Sequence, residues 1–219
     1  MVATALDYLT MIRAMPPGVV SNFDYVSWAE YDALLEALDE QPRYRLSYDN
    51  GRLEVMTVSA EHETPAGLIA PIILVLAEEL NLDYLSLRST TLRTQKKAKG
   101  TDPDDCYYFK DFKKVAGKKR LDLTVDPPPD LAIEIDVTSR SLSKLPIYAA
   151  VGVPEFWRYY RDRVYFYRLT AGEYQEVSHS SLFPFLPPEV LLAFLRKGAL
   201  EGALAMVKEF RVWVKANKV

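Results

Sequence analysis

The stretch Pro129-Asp130-Leu131-Ala132-Ile133-Glu134-Ile135-Asp136-Val137 constrains this chain more than any other. Side chains alternate across a β-strand, so Leu131, Ile133, Ile135 and Val137 share one face, while Asp130, Ala132, Glu134 and Asp136 share the other. The apolar face, behind the lead-in Pro127-Pro128-Pro129, reads as a strand bound for the core. The opposite face carries carboxylates at Glu134 and Asp136, roughly 7 Å apart along a strand. At an effective dielectric of about 20 they repel by about 2.4 kcal/mol, enough to raise the pKa of one of them. A strand with no other duty has no use for that repulsion. A bound cation relieves it, as does one shared proton, and the cation is the reading adopted.

With 219 residues, the chain is the size of one domain or of one domain with an appendage. A hydrophobic fraction of 49% supports a packed core, and 26% charged residues suit a soluble surface. The longest apolar run, Leu68 to Ala77, is too short to cross a bilayer and contains Pro71. No secretory signal is visible at the start, where a basic region before an apolar stretch is lacking. Cys106, the single cysteine, excludes an internal disulfide and a cysteine-rich zinc site, so a reducing, cytoplasmic setting is expected.

A net charge of −3 argues against a dedicated nucleic-acid binder. The average hides a basic segment between Arg88 and Arg120, opposed only by Asp102, Asp104, Asp105 and Asp111. Such a segment attracts phosphates or else forms solvated loops, the usual fate of a charge run.

Ser27-Trp28-Ala29-Glu30 is a capping box opening a helix to about Glu40. Arg43 to Tyr48 and Arg52 to Thr57 alternate around Asp49-Asn50-Gly51, a strong hairpin signal. A helix from near Glu61 to Leu80 follows, with Pro71 expected to kink it or cost a hydrogen bond. Tyr84 to Thr94 reads as a strand, and so does Asp105 to Phe109. A short helix from Ser143 to Val151 is capped by Gly152. Glu155 to Tyr160 and Arg163 to Leu169 pair through Arg161-Asp162, and Glu173 to Val177 adds a third strand. Past Pro187-Pro188 the chain turns helical, with Leu200, Ala203, Val207, Phe210 and Val214 as a stripe for the domain or a second subunit. The sum is a mixed sheet with helices, α/β or α+β. Residues 1–186 form the expected domain and 187–219 a helical appendage.

Pro103-Asp104 begins a strand about thirty residues before Glu134. The order Pro103-Asp104, Glu134-Ile135-Asp136, Lys144 resembles the PD-(D/E)XK nuclease superfamily, the restriction-endonuclease-like fold. More narrowly, the chain resembles the Uma-type endonucleases, a family of unknown function. The resembling stretches are Tyr44 to Glu54, Ser59-Ala60-Glu61-His62-Glu63, Pro103-Asp104, Pro129 to Glu134, and Tyr148 through Gly152-Val153-Pro154-Glu155-Phe156-Trp157. They span most of residues 40 to 170.

The resemblance implies a central mixed sheet flanked by helices, with a divalent ion at the sheet edge. It implies Asp104 and Glu134 as carboxylate ligands and the Ile135 carbonyl as a main-chain ligand. Hard oxygen donors suit Mg²⁺ or Mn²⁺. The family's final motif lysine is replaced by Asp136, and Lys144 from the following helix is the substitute. Asp136 is then a further ligand or a hydrogen-bond acceptor near the strand end.

Glu61 is a water or metal contact by resemblance, or an acidic residue favoured in a helix's first turn with Ser59 as cap. His62 and His179, the only histidines, are too few for a histidine-based metal site. Asp105 is expected at the surface on the opposite strand face, and Asp130 as a cap. Cys106 reads as a small buried residue. The aromatic residues from Phe156 to Tyr167 read as core and cross-strand packing rather than base-stacking platforms.

The leading expectation is a divalent-metal-dependent endonuclease acting on DNA. Its competitor is a catalytically silent module of the same fold that binds nucleic acid or a protein partner. A small-molecule metallohydrolase is a third possibility, since fold does not fix substrate. No membrane association is expected, and the last helix suggests a homodimer.

Overall fold

A computed structural model describes residues 5–38, 41, 43–136 and 143–218, with the backbone alone at 5 and 60–63. The chain begins with α1 (Ala5–Arg13), β1 (Val20–Phe23) and α2 (Trp28–Leu38). A hairpin of β2 (Tyr44–Asp49) and β3 (Arg52–Thr57) leads into the long helix α3 (Ala60–Leu80). Four short strands follow: β4 (Leu85–Ser86), β5 (Leu92–Thr94), β6 (Lys99–Thr101) and β7 (Asp105–Tyr108). After the single turn α4 (Phe112–Val115) come β8 (Leu131–Asp136) and α5 (Leu145–Val151). The meander β9 (Glu155–Tyr160), β10 (Arg163–Thr170) and β11 (Glu173–Val177) precedes α6 (Pro188–Glu201) and α7 (Ala203–Asn217).

Local chemistry sets many of these boundaries. Ser27 and Glu30 make the reciprocal capping bonds, Ser27 N–H to Glu30 Oε2 at 2.7 Å and Glu30 N–H to Ser27 Oγ at 3.2 Å. Asn50 and Gly51 adopt positive φ of 47° and 90°, the two left-handed positions that a tight hairpin turn demands. Arg161 and Asp162 do the same between β9 and β10. Gly152, at φ 84°, closes α5 by donating to the Ala149 and Tyr148 carbonyls.

The strands form two sheets. A five-stranded antiparallel sheet runs β1-β3-β2-β6-β5, and a six-stranded sheet runs β11-β10-β9-β8-β7-β4. In the second sheet β8 and β9 are parallel and the other pairs antiparallel, so it is the expected mixed sheet. Its two faces carry separate cores. Leu131, Ile133 and Ile135 pack with α3, α6 and α7, while Ala132 belongs to the cluster around Tyr148 and Phe156. The alternation in β8 thus works as the sequence suggests, except that its acidic face is buried as well.

Three expectations change. Tyr84 to Thr94 is not one strand: β4 belongs to the six-stranded sheet and β5 to the five-stranded one. Arg88 turns the chain between them at φ 52°, where the polar run Arg88-Ser89-Thr90-Thr91 interrupts the alternation before Leu92 resumes it. The C-terminal helix is two helices, broken at Gly202 with φ 92° and ψ 154°. Its buried stripe is Met206, Phe210 and Val214, whereas Leu200 is 86% exposed. That stripe packs against α3 and α6 of the same chain. A Cβ at Gly198 would fall 2.7 Å from Met206 Sδ and 2.9 Å from Leu68 Cδ2, so the crossing of these helices uses the missing side chain. Finally, Asp105 is buried, as the site below makes clear.

The Val137 end of the expected strand and the Glu40 end of the second helix lie outside the described residues, as do the side chains of Glu61 and His62. Among the described residues no helix is long and apolar enough to cross a membrane.

Candidate active site

Strand β7 pairs with β8 so that Asp105 faces Ile133. Continued by one residue, that register sets Asp104 across from Glu134. The Asp104 amide donates to the Ile133 carbonyl at 3.1 Å, and the Ile135 amide donates to Asp104 Oδ2 at 2.7 Å. Main-chain bonds on both sides of Glu134 therefore hold Asp104 against β8. Arg45, reaching from β2 of the other sheet, brings its Nε to 3.9 Å from Asp104 Oδ1.

Glu134 is fully buried, with both oxygens engaged. Lys144 Nζ donates to Oε2 at 2.6 Å, and Tyr148 Oη donates to Oε1 at 2.5 Å. Lys144 occupies the N-cap of α5 and Tyr148 lies one turn on, so both point from one helix face. The helix dipole opposes a cation at that end. Burial would also lower the Lys144 pKa, but Glu134, Asp136 and Asp104 outweigh it, and the ammonium holds its proton more tightly than usual.

The acids respond in the opposite sense. Burial pushes Glu134 up to about 7, with Lys144 resisting and Asp104 and Asp136 adding to the rise. Burial likewise pushes Asp104 up to about 6, against Lys144, the Ile135 amide and Arg45, with Asp136 adding to the rise. Near neutral pH the two acids favour gaining positive charge, whether a proton or a cation.

Asp136 turns elsewhere. Its Oδ2 accepts from Arg158 Nε on β9 at 2.6 Å, and the Arg158 guanidinium lies 4.7 Å from the centre of the Tyr160 ring. Among the described residues, no three His, Cys, Asp or Glu side chains are grouped to hold a metal ion. Two carboxylates are a donor set that suits Mg²⁺, which binds through one or two of them with water and substrate phosphate, but here both Glu134 oxygens and Asp104 Oδ2 already accept hydrogen bonds. The residues fit a hard divalent cation on that donor chemistry.

Asp105 does face the other side of β7, but it is a buried acceptor. It takes bonds from Ser86 Oγ at 2.7 Å, Tyr107 Oη at 2.6 Å and Arg88 Nη1 at 3.1 Å. Those donors come from β4, the turn after it and β7 itself, and together they make burial of the charge affordable. Asp130 caps the end of β7, accepting from the Phe109 and Lys110 amides at 2.8 and 3.0 Å. Cys106 is fully buried, and burial pushes its thiol up. Ser59 occupies the N-cap of α3, where its side chain makes no capping bond, and Glu61 stands in the first turn.

The basic segment is largely spent inside the chain. Arg93 pairs with Asp32, Lys99 with Asp49, Lys118 with Asp126, and Arg120 with Glu36. The aromatic residues are packing elements: Trp157 stacks on Phe166 with centroids 4.5 Å apart, and Phe156 lies 4.8 Å from Tyr148.

Tyr148, Arg45 and Arg158 are site residues that the sequence reading did not single out. Tyr148 had a usable signal, its four-residue spacing from Lys144. Arg45 and Arg158 had none, because strand pairings far apart in sequence bring them in.

A family model named Uma2, with the description "Putative restriction endonuclease", matches residues 28–199. A crystal structure of a putative nuclease from Anabaena variabilis is similar over 74% of this chain and 90% of its own, with 12% identity and a TM-score of 0.46. No curated protein matches.

Proposed function

The chain belongs to the Uma2 family, and from that membership we propose that it is a divalent-metal-dependent endonuclease hydrolysing phosphodiester bonds in DNA. Asp104 and Glu134 would hold Mg²⁺ or Mn²⁺, with the Ile135 carbonyl as a main-chain donor. Such an ion polarises the scissile phosphate and lowers the pKa of an attacking water. Lys144, already charged, orients that water and offsets the charge that builds on the phosphate. Tyr148 fixes the rotamer of Glu134. Asp136 holds Arg158 at the strand end, and Glu61 is proposed as a further water or metal contact from the start of α3.

The observation that carries this reading is the 2.6 Å bond between Lys144 and Glu134, made where Asp104, just before β7, lies across from Glu134 on the paired strand β8. A lysine brought to a helix N-terminus, out of water and against the dipole, is costly and is held there only by pairing with the acids, an arrangement common at catalytic centres. The test is nicking of supercoiled plasmid with and without Mg²⁺. Cleavage should require the metal and vanish in Glu134→Ala and Lys144→Ala, and cleavage that persists in both variants overturns the proposal.

A second reading is the catalytically silent module. It is favoured by the saturation of Glu134 by Lys144 and Tyr148, together with the Asp136–Arg158 pair in place of the motif lysine. Chelator-insensitive binding of DNA without cutting would select it.

A further inference from the structure

A cavity of about 270 Å³ opens beside the acid cluster, where α2, β2 and the loops before β5 and β8 converge. Arg45 lines it and also approaches Asp104, so one side chain links the cavity to the candidate centre. The walls divide by chemistry. Leu35, Leu38, Leu46 and Leu121 give a small apolar side, the last three being mostly packed into the neighbouring cores. Asp102 and the hydroxyl-bearing Thr90 and Thr91 give a polar one.

The Asp102 carboxylate is buried and fixed, accepting from the Leu46 amide at 2.8 Å and from Thr91 Oγ1 at 2.6 Å. Two bonds do not exhaust the acceptor capacity of a carboxylate, and Asp102 lines the cavity. Arg45, Arg93, Lys119 and Arg120 bring positive charge to the lining, and Asp102 is the single acid among its described residues, in a chain whose net charge is −3. Asp32 and Glu36 of α2 meet Arg93 and Arg120 across partly exposed ion pairs, which are weak and yield to a better anion. Apolar walls, one fixed acceptor and a cationic rim together match a nucleotide, which presents a flat base with N–H donors and a phosphate.

We propose that this cavity receives one nucleotide of the substrate strand beside the scissile bond. The base lies against the leucines and Asp102, and the phosphate sits on Lys119 and Arg120. The volume is close to the lower bound of about 300 Å³ for small-molecule sites, room for one nucleotide and not for a base pair. The bound nucleotide is therefore unstacked, and single-stranded or distorted DNA is the preferred substrate. This proposal rests on the endonuclease reading for its context, yet it is tested without cleavage.

The test titrates the four deoxynucleoside monophosphates into the full chain without metal, followed by NMR or calorimetry, with inorganic phosphate as competitor. At least one nucleotide should bind, about tenfold more weakly in Lys119→Glu, an exposed position that can change without unfolding the chain. Ser89→Trp, which fills the cavity from its loop, should abolish binding while the circular dichroism spectrum is kept. A second arm measures oligonucleotide affinity with single abasic positions. One abasic position should weaken binding to the wild type and make no difference to Ser89→Trp. Equal affinity for inorganic phosphate and nucleotide, or nucleotide binding untouched in Ser89→Trp, overturns the proposal. Binding that follows this pattern in a chain that cuts nothing would sink the nuclease reading and leave the nucleotide site standing.

Discussion

Tyr148 donates its phenol proton to Glu134 Oε1 at 2.5 Å from one turn beyond Lys144, so a single helix face saturates one buried carboxylate. The helix is short, and its placement rests on the Gly152 cap and on Ile147, Tyr148 and Val151 in the core beneath it. Precision at Glu134 is therefore inherited from packing.

Replacing Tyr148 with Phe keeps the ring against Phe156 and removes only the bond to Glu134. Stability should fall by about 1 kcal/mol, read from guanidinium unfolding, and cleavage should slow about tenfold with little change in KM. An unchanged rate would assign Tyr148 to packing alone.

Lys144→Met leaves Glu134 as a buried acid without its cation. The loss should be about 3–5 kcal/mol at pH 8 and smaller at pH 5, where Glu134 gains a proton. Adding Glu134→Gln to Lys144→Met should recover most of that stability and none of the cleavage. A double variant as unstable as the single one would show that Lys144 contributes through its stem, not its charge.

Burial holds the Asp104 and Glu134 carboxyls in the folded chain well above the usual carboxylate range of the unfolded one, pushed up to about 6 and about 7. Between the two states' pKa values the folded chain holds more protons, so stability falls as pH rises. The melting temperature should therefore drop from pH 5 to pH 8, and less steeply in Glu134→Gln. Millimolar Mg²⁺ should restore it at pH 8 and have little effect at pH 5, since a ligand of the ionised pair stabilises by mass action. A melting temperature flat over this range, with or without Mg²⁺, would contradict the placement of both acids.

Glu155 is another buried carboxylate, bonded wholly within the scaffold. It accepts from Trp157 Nε1 at 2.5 Å, Ser180 Oγ at 2.6 Å, and the Ser181 and Leu182 amides at 2.8 and 2.9 Å. Glu155→Ala should cost on the order of 3 kcal/mol by stranding those donors, without shifting the pH optimum of cleavage. A shifted optimum would tie Glu155 to the chemistry.

The local elements were legible because short-range rules govern them. The Ser27–Glu30 capping box, the Asn50-Gly51 turn, the Gly152 cap and the two faces of β8 each depend on residues within a few positions of one another. The break of the 84–94 segment into two sheets was missed although the polar run Arg88-Ser89-Thr90-Thr91 interrupts its alternation, since such a run is tolerated in a strand or ends it according to what it pairs with. The split at Gly202 was missed for a related reason. An isolated glycine in a helical pattern is tolerated or breaks the helix according to what it packs against.

By itself, the sequence determined that acids would stand at Asp104, Glu134 and Asp136 and that Lys144 would follow them on a helix, because periodicity and motif order are properties of the chain. Only the tertiary structure decided which acid takes which partner. Antiparallel pairing holds Asp104 beside Glu134, parallel pairing gives Asp136 to Arg158, and the meeting of the two sheets brings Arg45 to Asp104. Those choices follow from strand register and burial, which set distance and dielectric, and neither quantity exists until the chain has folded.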